Sequence, residues 1–380
     1  MKIGIFGGTF NPPHLGHVAL AQAAVKALSL DKLIVVPANM PPHKIPGSLA
    51  DANARIEMCR LAFDGPVFSV SDVEIRREGI SYTVDTLRYF SSEYPDAELF
   101  FIIGSDMLDG FRNWYRWEEI LSLARLCVAG RVKGFKADLS CFTPAQRERI
   151  TVLEVEPKVM SSTGIRIRIR SGLDCSDYLD DKVIKYCDER DIYEDGYGKY
   201  REILRELLDE SRFYHSECVS ESAYNLAVRY GADPEKAKLA GLLHDITKCF
   251  KAQDQLSLIG DSITPLERSN YKVWHQVSGA EYIRRNKLTD DEEIISAVRW
   301  HTTGKADMTL LEKIVYTADF ISAERDYPDV ETVRKLAYIS LEHAMLYTSR
   351  YTIKSLVALD RPVHPSTLDC YNDILKHFGL

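Results

Sequence analysis

Two sets of residues in this chain have types and spacings suited to chemistry. The first is the string Gly7-Gly8-Thr9-Phe10-Asn11-Pro12-Pro13-His14-Leu15-Gly16-His17. Paired glycines let the main chain approach a ligand closely, and a helix N-terminus turns N–H groups and positive dipole toward an anion. His17 falls in the first turn of the helix that begins here, and His14 lies three residues earlier. Two imidazoles so placed can donate hydrogen bonds to oxygens gaining negative charge, which is the help that phosphoryl transfer needs from a protein. The second set is His215, His244-Asp245, His275, His301 and Asp319. Imidazoles and carboxylates together suit one or two divalent cations, with an Asp able to bridge. The His-Asp pair follows the apolar Leu239-Ala240-Gly241-Leu242-Leu243, where burial is costly unless a metal or a network compensates. Ligands so far apart in sequence must converge from different helices.

The elements that position these sets differ in kind. Apolar runs of strand length occur at 3–6, 33–36, 67–73, 99–103, 126–129 and 152–155, with helical periodicity between several of them (Val18, Ala21, Val25, Leu28). This alternation predicts an α/β domain whose mostly parallel sheet is covered on both faces, with ligands beyond the carboxyl ends of the strands. After about 178 the strand signal stops. Residues 178–188, 200–208, 220–230, 237–244, 277–286, 292–300, 310–320 and 330–347 all carry helical patterns. The charged, glycine-bearing stretch at 188–198 marks the change of period, so the chain is divided into domains at 1–190 and 200–380 with 191–199 as linker.

At 380 residues, two domains are expected. The formal charge of −8 argues against nucleic acid or an anionic membrane as partner. Small nucleotides need only local positive groups and stay open. The eight cysteines include no C-x-x-C pair, which fits a reducing, cytoplasmic compartment. No stretch approaches the ~20 apolar residues of a membrane span. A homo-oligomer is compatible with all of this.

The first string resembles the signature of the H-x-G-H nucleotidyltransferases, and in its Gly-Gly-Thr-Phe-Asn-Pro-Pro-His form that of bacterial nicotinate-nucleotide adenylyltransferases. Pro41-Pro42-His43-Lys44, Ser81-Tyr82-Thr83-Val84-Asp85 and Ser161-Ser162-Thr163-Gly164-Ile165-Arg166 resemble further motifs of that family, in the same order. The resemblance covers about 1–190 and implies a Rossmann-like fold in which nicotinate mononucleotide attacks the α-phosphorus of ATP, with Mg²⁺ on the phosphates. His14 and His17 would be catalytic. Gly7, Gly8, Thr9, Phe10, Ser162, Thr163 and Arg166 would join them in holding ATP. Lys44, Thr83, Asp106 and Trp117 would hold the mononucleotide, with Trp114 as the rival stacking ring. Thr83 at a helix start is a plausible carboxylate seat by its dipole alone. Arg131-Val132-Lys133-Gly134 departs from the pattern and leaves any role for Arg131 open.

The second set resembles the HD phosphohydrolases, and Leu242-Leu243-His244-Asp245-Ile246-Thr247-Lys248 with Trp300-His301-Thr302 and Ala318-Asp319 most resembles members that split diadenosine tetraphosphate into two ADP. It implies an all-α HD domain over about 200–380. His215, His244, Asp245, His275, His301 and Asp319 would be metal ligands, and Asp245 and Lys248 catalytic. Iron is favoured by the resemblance, while imidazole-rich sites also suit Mn, Co or Zn. Gln276 stands where the pattern has glycine, and Arg325 is open between phosphate ligand and surface residue. The enzyme alternatives are another H-x-G-H adenylyl- or cytidylyltransferase and an HD hydrolase of another nucleotide. The non-enzyme alternative is a metal-dependent nucleotide sensor.

Overall fold

The computed structural model describes residues 1–39, 49–77, 79–130, 134–153, 155, 161–260 and 263–379. Lys44, Arg131 and Met160 lie outside the described residues. The chain divides into two compact units, Met1–Glu194 and Asp195–Leu380.

In the first unit β1 (Lys2–Gly8), β2 (Lys32–Pro37), β3 (Phe68–Val70), β4 (Glu98–Gly104), β5 (Arg125–Ala129) and β6 (Ile150–Leu153) form one sheet in the order β3-β2-β1-β4-β5-β6. Every pairing among them is parallel. Successive strand residues enter opposite cores: Leu33 and Val35 join Phe6, Phe100 and Ile102 on one face, and Ile34 and Val36 join Ile3, Ile5 and Phe101 on the other. A strand with apolar residues on both faces is what a doubly covered parallel sheet requires. The helices are α1 (Leu15–Leu28), α2 (Ala52–Ala62), α3 (Val73–Arg76), α4 (Thr83–Glu93), α5 (Trp117–Leu123), α6 (Pro144–Arg147), α7 (Ser162–Arg170) and α8 (Asp181–Asp188). The chain adds strands outward from β1 on one side and from β4 on the other, so loops 9–14 and 105–116 leave adjacent strand ends at the switch point. The strand expected over 67–73 is shorter, because Val73 instead opens α3 and buries in the core that holds Ile34 and Val36.

The second unit is helical among the described residues: α9 (Gly198–Leu207), α10 (Glu210–Tyr230), α11 (Pro234–Leu243), α12 (Ala252–Ile259), α13 (Pro265–Ser269), α14 (Trp274–Arg285), α15 (Glu292–Trp300), α16 (Leu310–Ile321), α17 (Val330–Ile339), α18 (Leu341–Ala358) and α19 (Pro365–His377). Two corrections follow. The helix expected over 330–347 is two helices, because Ser340 is extended (φ −157°, ψ 132°) and its hydroxyl accepts the His343 N–H as the cap of α18. His244 and Asp245 are not inside a helix, since α11 ends at Leu243 and residues 244–249 turn.

The stretch expected to be a linker is pinned at both ends. The Tyr193 hydroxyl donates to Asn11 Oδ1 at 3.1 Å within the first unit. Two residues later, Asp195 takes both Arg201 Nη1 (2.6 Å) and Nη2 (2.8 Å), and Lys238 Nζ at 2.9 Å, within the second.

Candidate active sites

The loop between β1 and α1 is held by the elements around it. β1 delivers Gly7 and Gly8, and a Cβ on Gly8 would stand 3.0 Å from the Phe10 ring. Phe10 has φ 47°, in the left-handed region, and its ring packs against Phe6 and Phe63 with centroids at 5.3 and 5.8 Å. Its side chain therefore belongs to the core, and only its main chain is available to a phosphate. Arg55 of α2, 2% exposed, donates to four carbonyls: Thr9 (3.0 Å), Ala38 (2.6 Å), Asn39 (3.3 Å) and Ala50 (3.1 Å). One guanidinium thus fastens the ends of β1 and β2 and the entry to α2.

His14 is the N-cap of α1, and His17 is its third residue. His14 Nδ1 accepts the His17 N–H (3.3 Å), His17 Nδ1 accepts the His14 N–H (3.1 Å), and the rings stack with centroids 3.6 Å apart. With both Nδ1 lone pairs committed, a neutral ring carries its proton on Nε2 in each case. No acidic residue stands in the first turn of α1, so the dipole there is uncompensated by the helix itself. α7 closes on the same loop. Arg166 Nη1 donates to the Asn11 carbonyl (3.1 Å), its Nη2 donates to Thr163 Oγ1 (3.2 Å), and Ser162 Oγ reaches the Pro12 carbonyl (3.4 Å). His14, His17, Ser162, Thr163 and Arg166 are therefore brought to one loop.

The remaining first-unit residues gather at the same end of the sheet. Thr83 is the first residue of α4 and not its cap; Tyr82 holds that position, and no side chain caps the helix. Ser81 Oγ accepts the Asn39 N–H at 3.1 Å, which ties this segment to the end of β2. Tyr82 lies 4.9 Å from Tyr115, while Arg88 grips Glu119 at 2.7 and 2.9 Å, joining α4 to α5. Asp106 is exposed in the turn after β4. Trp117 opens α5 with Arg112 over its ring at 5.5 Å and Phe111 and Phe142 at its sides. Trp114 packs against Phe101 and Phe111.

In the second unit six ligand-type residues converge. His215 comes from α10, Asp319 from α16 and His275 from α14, while His244 and His301 each stand one residue past a helix end. The last two are built alike: His244 Nδ1 meets the Gly241 carbonyl and His301 Nδ1 the Val298 carbonyl, both at 2.7 Å. Those bonds put the proton on Nδ1 and turn each Nε2 lone pair inward. Asp245 lies between two groups. Its Oδ1 is 3.3 Å from His275 Nε2 and 3.5 Å from His301 Nε2. Its Oδ2 is 3.7 Å from His244 Nε2 and 3.9 Å from His215 Nε2, and His215 Nε2 is 3.1 Å from Asp319 Oδ1.

The donor set fits divalent metal. Asp245 Oδ1 is buried without a hydrogen bond, a costly state that a cation relieves. Triads His215/His244/Asp245, His244/His301/Asp319 and Asp245/His275/His301 each bring their ligand atoms within 4.8 Å of one another. Burial opposes charge on His244 and takes its pKa down to about 3; burial likewise holds His275 well below its ordinary value. Both are thus neutral, as ligands must be. Burial also works against ionised Asp245, yet its carboxyl is held well below the usual range, with Lys248 the neighbour that stays positive. Lys248 Nζ stands 3.4 Å from Asp245 Oδ1 and 2.9 Å from His275 Nε2. Arg325 pairs with the Asp319 carboxylate and donates from Nε to its carbonyl at 2.9 Å, so it faces the site. A cavity of about 320 Å³ opens at Lys248 and His275, lined also by Gln255, Tyr271 and Lys272.

Several contributors were not foreseen. Arg55 was legible as a charge on the apolar Met58-Cys59-Ala62 face of α2, at helical spacing. Glu324, whose Oε1 meets His215 Nδ1 at 2.5 Å, and Arg212, whose Nη1 lies 3.4 Å from Asp245 Oδ2, carry no local signal in sequence.

A cytidylyltransferase-like family model matches residues 5–168, and an HD domain model matches 212–324. The chain is 40% identical over 194 residues to the nicotinate-nucleotide adenylyltransferase of Bacillus subtilis (strain 168), covering 51% of this chain and 98% of that protein. It is 37% identical over 171 residues to the symmetrical bis(5'-nucleosyl)-tetraphosphatase of the same organism, covering 44% of this chain and 92% of the relative. A Mycoplasma pneumoniae protein named "Probable nicotinate-nucleotide adenylyltransferase/Ap4A hydrolase" is 30% identical over 359 residues, 93% of this chain and 99% of its own length.

Proposed function

Because the chain belongs to the family of nicotinate-nucleotide adenylyltransferase/Ap4A hydrolase fusions, we propose that it carries both activities, one in each unit. In the first, a phosphate oxygen of nicotinate mononucleotide attacks the α-phosphorus of ATP; the α–β bridging bond breaks, leaving the deamido dinucleotide and pyrophosphate. The observation that supports this is the reciprocal His14–His17 cap, which puts an Nε2 proton on each ring at a helix N-terminus. Those protons donate to the oxygens that gain charge. Ser162, Thr163 and Arg166 hold the β/γ side, with Mg²⁺ entering on ATP, and Gly7, Gly8, Thr9 and the Phe10 main chain line the loop. Lys44 is a charge for the mononucleotide phosphate. The N-terminus of α4 at Thr83 seats the nicotinate carboxylate, Trp117 flanks the pyridine ring, and Asp106 meets a ribose hydroxyl.

In the second unit water cleaves the central bridge of diadenosine tetraphosphate and two ADP leave. His215, His244, Asp245, His275, His301 and Asp319 would hold one or two divalent metals, with iron favoured. When bound, these supply Lewis-acid charge and lower the pKa of water. Asp245 orients the water, and Lys248 and Arg325 pair with phosphate oxygens as charge develops. The observation that carries this reading is Asp245, nearly fully buried between two groups of inward-facing imidazoles.

The test is to give the full chain ATP with nicotinate mononucleotide, ATP with its amide counterpart, and diadenosine tetraphosphate, and to resolve products by chromatography. The acid form is expected to react far faster than the amide, and the tetraphosphate to yield two ADP. Amide preference overturns the acceptor, and ATP plus AMP as products overturns the symmetrical cut. Binding of the tetraphosphate without turnover would favour the sensor.

A further inference from the structure

Three of the four imidazoles in the ligand cluster of the second unit are oriented through Nδ1, by Glu324, the Gly241 carbonyl and the Val298 carbonyl. For His275 the constraint runs through the next residue. Gln276 is fully buried in α14. Its Oε1 accepts the main-chain N–H groups of Thr302 and Thr303, both at 3.2 Å, and its Nε2 donates to Thr303 Oγ1 at 3.1 Å. Two backbone donors on one side-chain atom fix the amide's orientation, since the nitrogen cannot accept them. The residues so clamped directly follow His301, and Thr302 Oγ1 in turn meets His275 Nε2 at 2.9 Å.

We infer that Gln276 is a positioning residue that sets the His275–His301 half of the metal site. This rests on the metal-site reading given above. The start of α14 and the turn after α15 each carry one ligand, and no covalent link shorter than the whole of both helices joins them. The amide bridges them with three hydrogen bonds, adjacent in sequence to both ligands, where the two Nε2 atoms stand 3.2 Å apart. The other group of ligands, His215, His244 and Asp319, receives no bond from Gln276. Loosening the clamp therefore weakens one half-site and spares the other. Glycine at 276 would leave those two backbone N–H groups to other partners, so the side chain is a local solution of this chain to holding the turn.

The test uses the full chain stripped of metal and titrated with Mn²⁺, free ion being counted by its electron paramagnetic resonance signal. Wild type is expected to bind two equivalents. Gln276→Leu should keep the first and weaken the second by about 10–100-fold, the usual cost of losing an outer-shell partner. Gln276→Glu keeps the acceptor for both amides and should restore the second to near wild type. Should Gln276→Leu lack a cooperative melt, Gln276→Asn, one methylene too short to span the gap, decides. A second equivalent of unchanged affinity in Leu or Asn, or equal weakening of both equivalents, overturns the inference. Failure of wild type to bind Mn²⁺ would instead remove the metal-site reading itself.

Discussion

His14 and His17 cap one another: each imidazole accepts the other's main-chain N–H through Nδ1, at 3.3 and 3.1 Å. One pair of residues thus ends a loop, starts a helix and fixes two tautomers. Capping and catalysis can be separated. His14→Ser retains an N-cap acceptor, whereas His14→Ala removes it at about 1 kcal/mol. Both should lower kcat of adenylyl transfer by about 10²–10³, the range for loss of one preorganised donor. Paired kinetics and thermal melts check this; full activity in the Ser variant would reduce His14 to a cap.

Arg55→Leu should be among the most destabilising single changes in the first unit. It strips four carbonyls of a buried donor, each an unsatisfied group worth about 1–3 kcal/mol if water cannot reach it. A loss of about 3 kcal/mol or more is expected in urea unfolding. Arg55→Lys should rescue little, since an ammonium lacks the planar fork that spans these acceptors.

Asp245→Asn halves the charge logic of the second site without changing its shape. Bound metal should fall, and tetraphosphate hydrolysis should drop by about 100-fold or more, because both half-sites share that carboxylate. Adenylyl transfer by the same preparation serves as the internal control and should be unaltered. Equal loss of both activities would point to misfolding of the whole chain.

The Asp195 cluster gives a pH dependence with a definite sign. Burial opposes its charge, but Arg201 and Lys238 outweigh this and depress its pKa far below the usual carboxylate value. A depressed carboxyl contributes stability that is full above its unfolded pKa of about 3.9 and fades as pH falls through the folded value. Asp195→Asn should cost the second unit about 3 kcal/mol at pH 7, since Arg201 is buried and loses a partner. The gap between variant and wild type, followed by denaturant melts, should be constant from pH 7 to 5 and shrink below 4. A gap that widens on acidification contradicts the assignment.

The sheet and most helices were legible because apolar runs with both faces covered, and stripes at helical spacing, are local signals. Ser340 shows the limit: a helical stripe continues across it, and only its extended backbone and cap bond divide α17 from α18. The His-Asp turn was read as helix for the same reason, as apolar periodicity runs up to Leu243 and cannot report where hydrogen bonding stops. Ligand-type residues were visible as types. Their outer partners were not, because Glu324 meets His215 across 109 positions and Gln276 meets Thr302 across 26. Such pairs exist only once helices pack.

The junction between the units has a practical corollary for anyone dissecting the chain. Tyr193 is bonded to Asn11 on one side and Asp195 to Arg201 on the other, with Glu194 alone between them. A first-half fragment that stops before 193 gives up the hydroxyl that steadies the loop at Asn11, and a second-half fragment that starts after 195 leaves the buried Arg201 with Glu217 but without the carboxylate that takes both its Nη atoms. The workable scissor position is one residue wide.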